Sequence, residues 1–236
     1  MGNNFFQFKQ FRINQEGAAM KVSTEGCLLG AIATCGHDAS VLDIGSGTGL
    51  LALMIAQRTN AKISSVEADE EAAAQALRNV EGSPWSERVN IVNSTIQVFA
   101  EQAKERFDMI VSNPPFYTNY LPSDDVRRKL AMHTYSLSME DLATVADKLL
   151  MPEGRFFVIY PAYEAGLFAQ TAKSKGLHPL ENHIIRNKEG GSIFRMITCY
   201  GQTEAKTTQS ELVIRDDSNA YTAAFEKLLA PYYLNL

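Results

Sequence analysis

Val41-Leu42-Asp43-Ile44-Gly45-Ser46-Gly47-Thr48-Gly49 reads as a buried strand running into a glycine-rich turn. Leu50, Leu51, Leu53, Met54 and Ile55 follow at helical spacing. Without side chains at 45, 47 and 49 the backbone can turn sharply and come close to a ligand. The same alternation continues outward from this unit. Residues 63–66 predict a second strand and residues 70–80 an alanine-rich helix. Strands at 89–92 and 107–111 come next, the latter ending at Asn113-Pro114-Pro115. Ser138-x-x-Asp141 resembles a capping box before an amphipathic helix, and Pro152-Glu153-Gly154 turns that helix into a strand at 156–160. A helix at 164–175 and extended segments at 183–186 and 194–200, with Gly190-Gly191 between them, complete the pattern. It predicts an α/β fold, a mostly parallel sheet covered on both faces and closed by an antiparallel edge hairpin.

With 236 residues, 45% apolar and 21% charged, the chain has ordinary globular composition and can bury a core without disulfide or metal staples. Its longest nearly apolar run, residues 27–35, is about half of what a membrane span needs. Lys9 and Arg12 interrupt Phe5, Phe6 and Phe8 before a signal-peptide core could form. A soluble, cytoplasmic, monomeric protein with no membrane and no obligatory protein partner is the expectation. Cys27, Cys35 and Cys199 are odd in number and form no C-x-x-C pair, and the four histidines lack metal-ligand spacing. No metal site is predicted. No linker divides the chain, so residues 1–236 read as one domain. Residues 1–40 would form a lid segment, 41–160 the donor-binding core, and 161–236 the rest of the sheet with its substrate-facing elements.

Glu67 ends the second predicted strand twenty residues beyond Gly47, where an acid hydrogen-bonds ribose hydroxyls in nucleotide-binding α/β units. Asp43 then discriminates among nucleosides. A carboxylate at the mouth of the loop would repel the phosphates of NAD or ATP. S-adenosylmethionine carries an ammonium and a sulfonium and no phosphate, so an acid there is favourable. S-adenosylmethionine is the expected cofactor. Asn113-Pro114-Pro115-Phe116 stands at the carboxyl end of a strand, where ligands of open α/β sheets bind. The Asn113 oxygen and the Pro114 carbonyl can both accept hydrogen bonds from a conjugated NH₂, freeing its lone pair for attack without a strong base. Proline presents no N–H there, and Phe116 can stack on a flat substrate such as an extruded base.

Taken together, the run from Asp43 to Gly49, Val66-Glu67, the Asn-Pro-Pro-Phe segment and Pro152-x-Gly154 resemble the seven-stranded class I methyltransferases, specifically the amino methylases with an N-P-P-[YF] motif. Phe8-Lys9-Gln10-Phe11, the stretch from Met20 to Gly26, Leu28-Leu29-Gly30-Ala31, Asn79-Val80, Ser83-Pro84-Trp85, Ser136-Leu137-Ser138, Tyr221-Thr222 and Tyr232-Tyr233 are similar to bacterial tRNA1(Val) (adenine-37-N6)-methyltransferases. The resemblance implies a Rossmann-like fold and methyl transfer to N6 of an adenine beside a tRNA anticodon. Carried over by position, Gly45, Ser46, Gly47, Gly49 and Glu67 hold the donor, and Asn113, Pro114, Pro115 and Phe116 hold the adenine. Thr24 lies where related methylases place a group near the donor's methionine end. Ser94 and Thr95 stand where many relatives carry an acid for the donor's adenine.

The net charge is −5, with 13 Lys/Arg against 18 Asp/Glu in residues 1–150 and 9 against 9 beyond. An acidic protein binds RNA when its positive groups gather on one face. The candidates are Lys9, Arg12, Arg127, Arg128, Lys129, Arg186 and Arg195, from segments expected to border the carboxyl ends of the strands. The competing reading is that Arg127, Arg128 and Lys129 neutralise Asp124-Asp125, and that Arg186 and Arg195 pair across the hairpin with neighbours such as Glu189. Rival functions are glutamine methylation of a release factor, adenine methylation of rRNA or DNA, and a non-catalytic binding protein on the same fold.

Overall fold

The computed structural model describes residues 3–16, 18, 20–115 and 137–236. Phe116, Arg127, Arg128 and Lys129 lie outside these residues. Ser40–Ile44 (β3), Lys62–Glu67 (β4), Val89–Asn93 (β5), Phe107–Ser112 (β6) and Leu150–Tyr160 (β7) form parallel pairs in one sheet. His178–Lys188 (β8), Ile193–Gly201 (β9) and Thr208–Arg215 (β10) extend it, giving the order β10-β8-β9-β7-β6-β3-β4-β5. The predicted class forms, with two differences at its closing end. Among the described residues the sheet has eight strands rather than seven, and the hairpin of β8 and β9 is not its edge. β10 pairs in parallel outside β8, so β9 is the antiparallel strand, inserted between β7 and β8. The Thr-Gln-Ser-Glu opening of β10 is exposed and polar, which hides its strand pattern from a hydrophobicity reading.

Strand alternation sends side chains to two covered faces. Leu42, Ile44, Phe156 and Val158 join one core with Ile96–Gln102 (α4), Met139–Leu149 (α5) and Ala162–Ser174 (α6). Val41, Phe157, Ile159 and Cys199 join the other with Thr24–Ile32 (α1), Leu50–Arg58 (α2) and Ala223–Leu229 (α7). The apolar run from Cys27 is therefore helix α1, capped by Ser23, and Gly30 lets it press on α2. A Cβ at Gly30 would stand 2.7 Å from the Met54 sulfur. Glu70–Glu81 (α3) follows β4 and is capped by Asp69. Among the described residues no helix is long and apolar enough to cross a membrane.

The phenylalanine-rich start forms a small antiparallel ribbon, Phe5–Gln7 (β1) with Arg12–Asn14 (β2). Phe8 is fully buried and stacks on Phe11 at 4.4 Å, and Phe11 meets Trp85 edge-on at 5.7 Å. Trp85 precedes β5, so this turn sits toward the amino ends of the parallel strands. That corrects the placement expected for Lys9. Its backbone N–H bonds the Tyr232 carbonyl and its ammonium donates to the Ala230 carbonyl at 2.6 Å, away from the carboxyl-end surface. Arg12 lies 3.6 Å over the Phe5 ring.

Candidate active site

A cavity of about 690 Å³ opens at the carboxyl ends of β3, β4, β5 and β6. That is the size range of small-molecule sites. Its floor is the glycine turn. Gly45, Gly47 and Gly49 have φ of +79°, +53° and +81°, in the left-handed region that side chains disfavour. The N–H groups of Gly45 and Ser46 both donate to the Val66 carbonyl, which ties the turn to β4. Glu67 lines the cavity and holds the turn from the other side. One of its oxygens accepts the Gly47 N–H at 2.8 Å, the other the Asp69 N–H at 3.1 Å. An ionised carboxylate has about four acceptor positions, so these bonds leave capacity for a ligand hydroxyl.

The remaining turn residues divide by role. Gly49 faces α3 rather than the cavity, since a Cβ there would lie 3.6 Å from that of Ala76. Ser46 is buried and its hydroxyl has no hydrogen-bond partner. Asp43 departs from expectation. It is fully buried, and the cavity is lined by Ile44 and Gly45 instead. The cause is strand alternation: Leu42 and Ile44 take one face of the sheet, leaving Asp43 with Val41 on the other, beneath the turn. Asp43 accepts the Ser65 hydroxyl at 2.8 Å through one oxygen, while the other is buried with no hydrogen bond of normal geometry.

Burial pushes the Asp43 carboxyl up to about 7; the Ser65 hydroxyl pulls it back, the Glu67 charge adds to the rise, and the Ala52 N–H weakly opposes it. The folded state thus holds this proton more tightly than the unfolded chain. Stability should fall as pH rises from the ordinary 3.8 through about 7 and be level above. Asp43→Asn is expected to abolish that decline, melting higher than the wild type at pH 8 but not at pH 4. Thermal melts across this pH range check it, and parallel curves for both proteins would contradict it.

Asn113 follows β6 at the edge of the cavity, with Pro114 and Pro115 beside it in the wall. Its side-chain oxygen is buried and accepts no hydrogen bond among the described residues, while its NH₂ lies 3.9 Å from the Met20 sulfur. Ser94 and Thr95 also line the cavity. The Thr95 hydroxyl caps α4, and that of Ser94 donates to the Thr95 carbonyl at 3.0 Å. Thr24 is exposed at the start of α1 and is not in the cavity wall. Met20, Ala18 and Glu16 of the preceding segment stand there instead. Met20 opens a stretch that carried the resemblance and all three fall in the expected lid segment, but no local motif marked Glu16 or Ala18 as lining residues. Asp69 and Glu71, at the amino end of α3, also line it. The N-cap pattern Asp69-Glu70-Glu71 was the available clue to them.

Two of the proposed RNA-binding residues form ion pairs with acids of the chain. Arg186 pairs with Glu211 at 3.1 Å and donates to the Gly191 carbonyl. Arg195 pairs with Glu25 in the first turn of α1 and lies over the Phe194 ring at 4.3 Å. Glu211 and Glu25, rather than Glu189, are the pairing acids. Glu25 was not legible because α1 is remote in sequence from the hairpin, and Glu211 because the polar opening of β10 hid its strand.

Electrostatics test the expected donor. Among the described residues, the charged groups lining the cavity are Glu16, Glu67, Asp69 and Glu71 against Arg78. Four acids against one base suit a ligand bearing ammonium and sulfonium charges and oppose a pyrophosphate. Asn113 lines the same cavity, and its buried side-chain oxygen has no partner among the described residues. The residues present fit S-adenosylmethionine.

Comparison with known proteins agrees. Residues 24–163 match the family model of the methyltransferase small domain. A tRNA1(Val) (adenine(37)-N6)-methyltransferase of Phocaeicola vulgatus is 39% identical over the whole of both chains. The enzyme of that name from Flavobacterium johnsoniae is 38% identical over 98% of this chain and all of its own. Among solved structures, an Agrobacterium tumefaciens protein described as a predicted O-methyltransferase superposes with a TM-score of 0.69 at 19% identity, covering 90% of this chain and all of that one. The Thermus thermophilus 16S rRNA N2 G1207 methyltransferase, solved with AdoMet and guanosine, gives a TM-score of 0.56 at 21% identity, covering 82% of this chain and 47% of that one. These two share the fold. Full-length identity near 40% to the tRNA enzymes goes further: this chain belongs to the tRNA1(Val) (adenine(37)-N6)-methyltransferase family and is an S-adenosylmethionine-dependent methyltransferase.

Proposed function

We propose that the protein methylates the exocyclic N6 of adenine 37 in tRNA1(Val). The observation that carries this reading is the buried, unpartnered side-chain oxygen of Asn113, followed by a proline and set at the limit of an acid-lined donor cavity. S-adenosylmethionine, when bound, supplies an electrophilic methyl group on a positively charged sulfur. The chain's own residues do the rest. Glu67 and the glycine turn hold the nucleoside end, and the surrounding carboxylates favour its positive charge. Asn113 and the Pro114 carbonyl accept hydrogen bonds from the two N6 hydrogens, orient the nitrogen, and turn its lone pair away from the ring; once methylated, the nitrogen loses one of its two protons to solvent. Pro114 and Pro115 keep competing backbone donors out of the acceptor side.

The RNA would approach over the end of β7 and the start of β9, since the donor cavity occupies the ends of β3, β4, β5 and β6. Tyr163, 72% exposed in the first turn of α6, lies on that side with Phe194 and Arg195. Arg127, Arg128 and Lys129 remain candidates for phosphate contacts. Residues 1–40 act as the lid segment, a reading supported by Glu16, Ala18 and Met20 in the cavity wall. The protein would act as a cytoplasmic monomer.

Purified protein, labelled donor and tRNA1(Val) transcripts test the substrate. Label should enter the adenine-37 transcript and not one carrying guanine at 37. Equal labelling of both, or labelling of a release factor alone, would reject the assignment.

A further inference from the structure

Asn79 lies in α3, is 2% exposed, and does not line the cavity. Its carboxamide is nevertheless fully engaged. The oxygen accepts the Asn14 N–H at 2.9 Å, and the NH₂ donates to the carbonyls of Asn14 and Thr48, each at 2.9 Å. Asn14 ends β2 and Thr48 belongs to the glycine turn, so one side chain joins two segments 34 residues apart. Ala76, three residues earlier on the same helical face, supports the turn at Gly49.

Beyond Asn14 the connection reaches the cavity. Gln15 is buried, accepts the Val22 N–H and donates to the Asn3 carbonyl, each at 2.9 Å. It closes the base of the stretch that carries Glu16, Ala18 and Met20 into the cavity wall, and Met20 stands against Asn113. We propose that Asn79 is a positioning residue that clamps this amino-terminal wall to the glycine turn, so that the two sides of the donor cavity are held in one register. The proposal rests on S-adenosylmethionine as donor and not on which acceptor is methylated.

Asn79→Ala should raise the donor Kd and KM about three- to tenfold, the scale of one net hydrogen bond, with a smaller change in kcat at saturating donor. Trypsin gives a second readout at the exposed Lys21. S-adenosylmethionine should slow cleavage there in the wild type, and should protect Asn79→Ala much less at the same concentration. A variant that melts lower yet keeps wild-type donor affinity and wild-type protection at Lys21 would make Asn79 a stability residue and overturn the proposal. Should Asn79→Ala fail to fold, Gln15→Leu opens the base of the wall and leaves the glycine turn intact. It should weaken donor binding and speed cleavage at Lys21, and unchanged donor affinity in that variant would equally overturn the idea.

Discussion

Asn113→Ala is expected to lower turnover by about 10²–10³-fold, the scale of losing one positioned hydrogen-bonding group at a reacting centre. Donor affinity should stay nearly constant, because the turn proposed to hold the donor is built by Val66, Glu67 and the glycines. Stability sharpens the prediction. The Asn113 oxygen is buried without a partner, and such an atom costs free energy rather than contributing it. The variant should therefore melt no lower than the wild type. Lost turnover with retained folding and retained donor binding identifies a group that acts on the acceptor. Single-turnover rates, donor calorimetry and a thermal melt measure the three quantities. Near-normal turnover on the RNA substrate would remove Asn113 from the mechanism.

Glu67→Ala should produce the opposite split. It removes the acceptor of the Gly47 and Asp69 N–H groups and with it any bond to the donor. A hydrogen bond to a charged group contributes about 1.5–3 kcal/mol, so donor affinity should fall by roughly ten- to a hundredfold. Gly47 has a positive φ and depends on its neighbours to stay there, so part of the loss comes from a looser turn. Glu67→Gln retains an oxygen for one of the two N–H groups and should fall between wild type and alanine. Calorimetry with S-adenosylmethionine ranks the three proteins, and equal affinities would show that the donor lies elsewhere.

Strands β3 to β6 were legible because each is a short, largely apolar run bounded by glycine, proline or an acidic cap. The glycine turn, Glu67 and the Asn-Pro-Pro segment were legible for the same reason, since local backbone demands restrict what can stand at those positions. β7 begins earlier than expected, at Leu150, because Pro152-Glu153-Gly154 continues the strand past a register shift instead of turning before it. Asp43 shows where such reasoning stops. Its place in the motif was plain, but whether it faces the ligand or the core depends on the pleat of β3, and it faces the core. Met20 and Glu16 show another boundary. Their segment is tied to the rest of the fold by the hydrogen bonds of Asn79 and Gln15, and no local pattern encodes a contact over that separation. Arg186 and Arg195 failed as free cations for a related reason, their acids being supplied by β10 and by α1.

The central claim is that Asn113, at the end of β6, presents adenine 37 of tRNA1(Val) for methylation. Nucleoside mass spectrometry of tRNA1(Val), purified from cells lacking this protein and from the same cells carrying wild-type or Asn113→Ala copies, tests it most directly. N6-methyladenosine at position 37 should be absent from the deletion, restored by the wild type, and missing with the variant. Unchanged N6-methyladenosine at position 37 in the deletion strain would contradict the account.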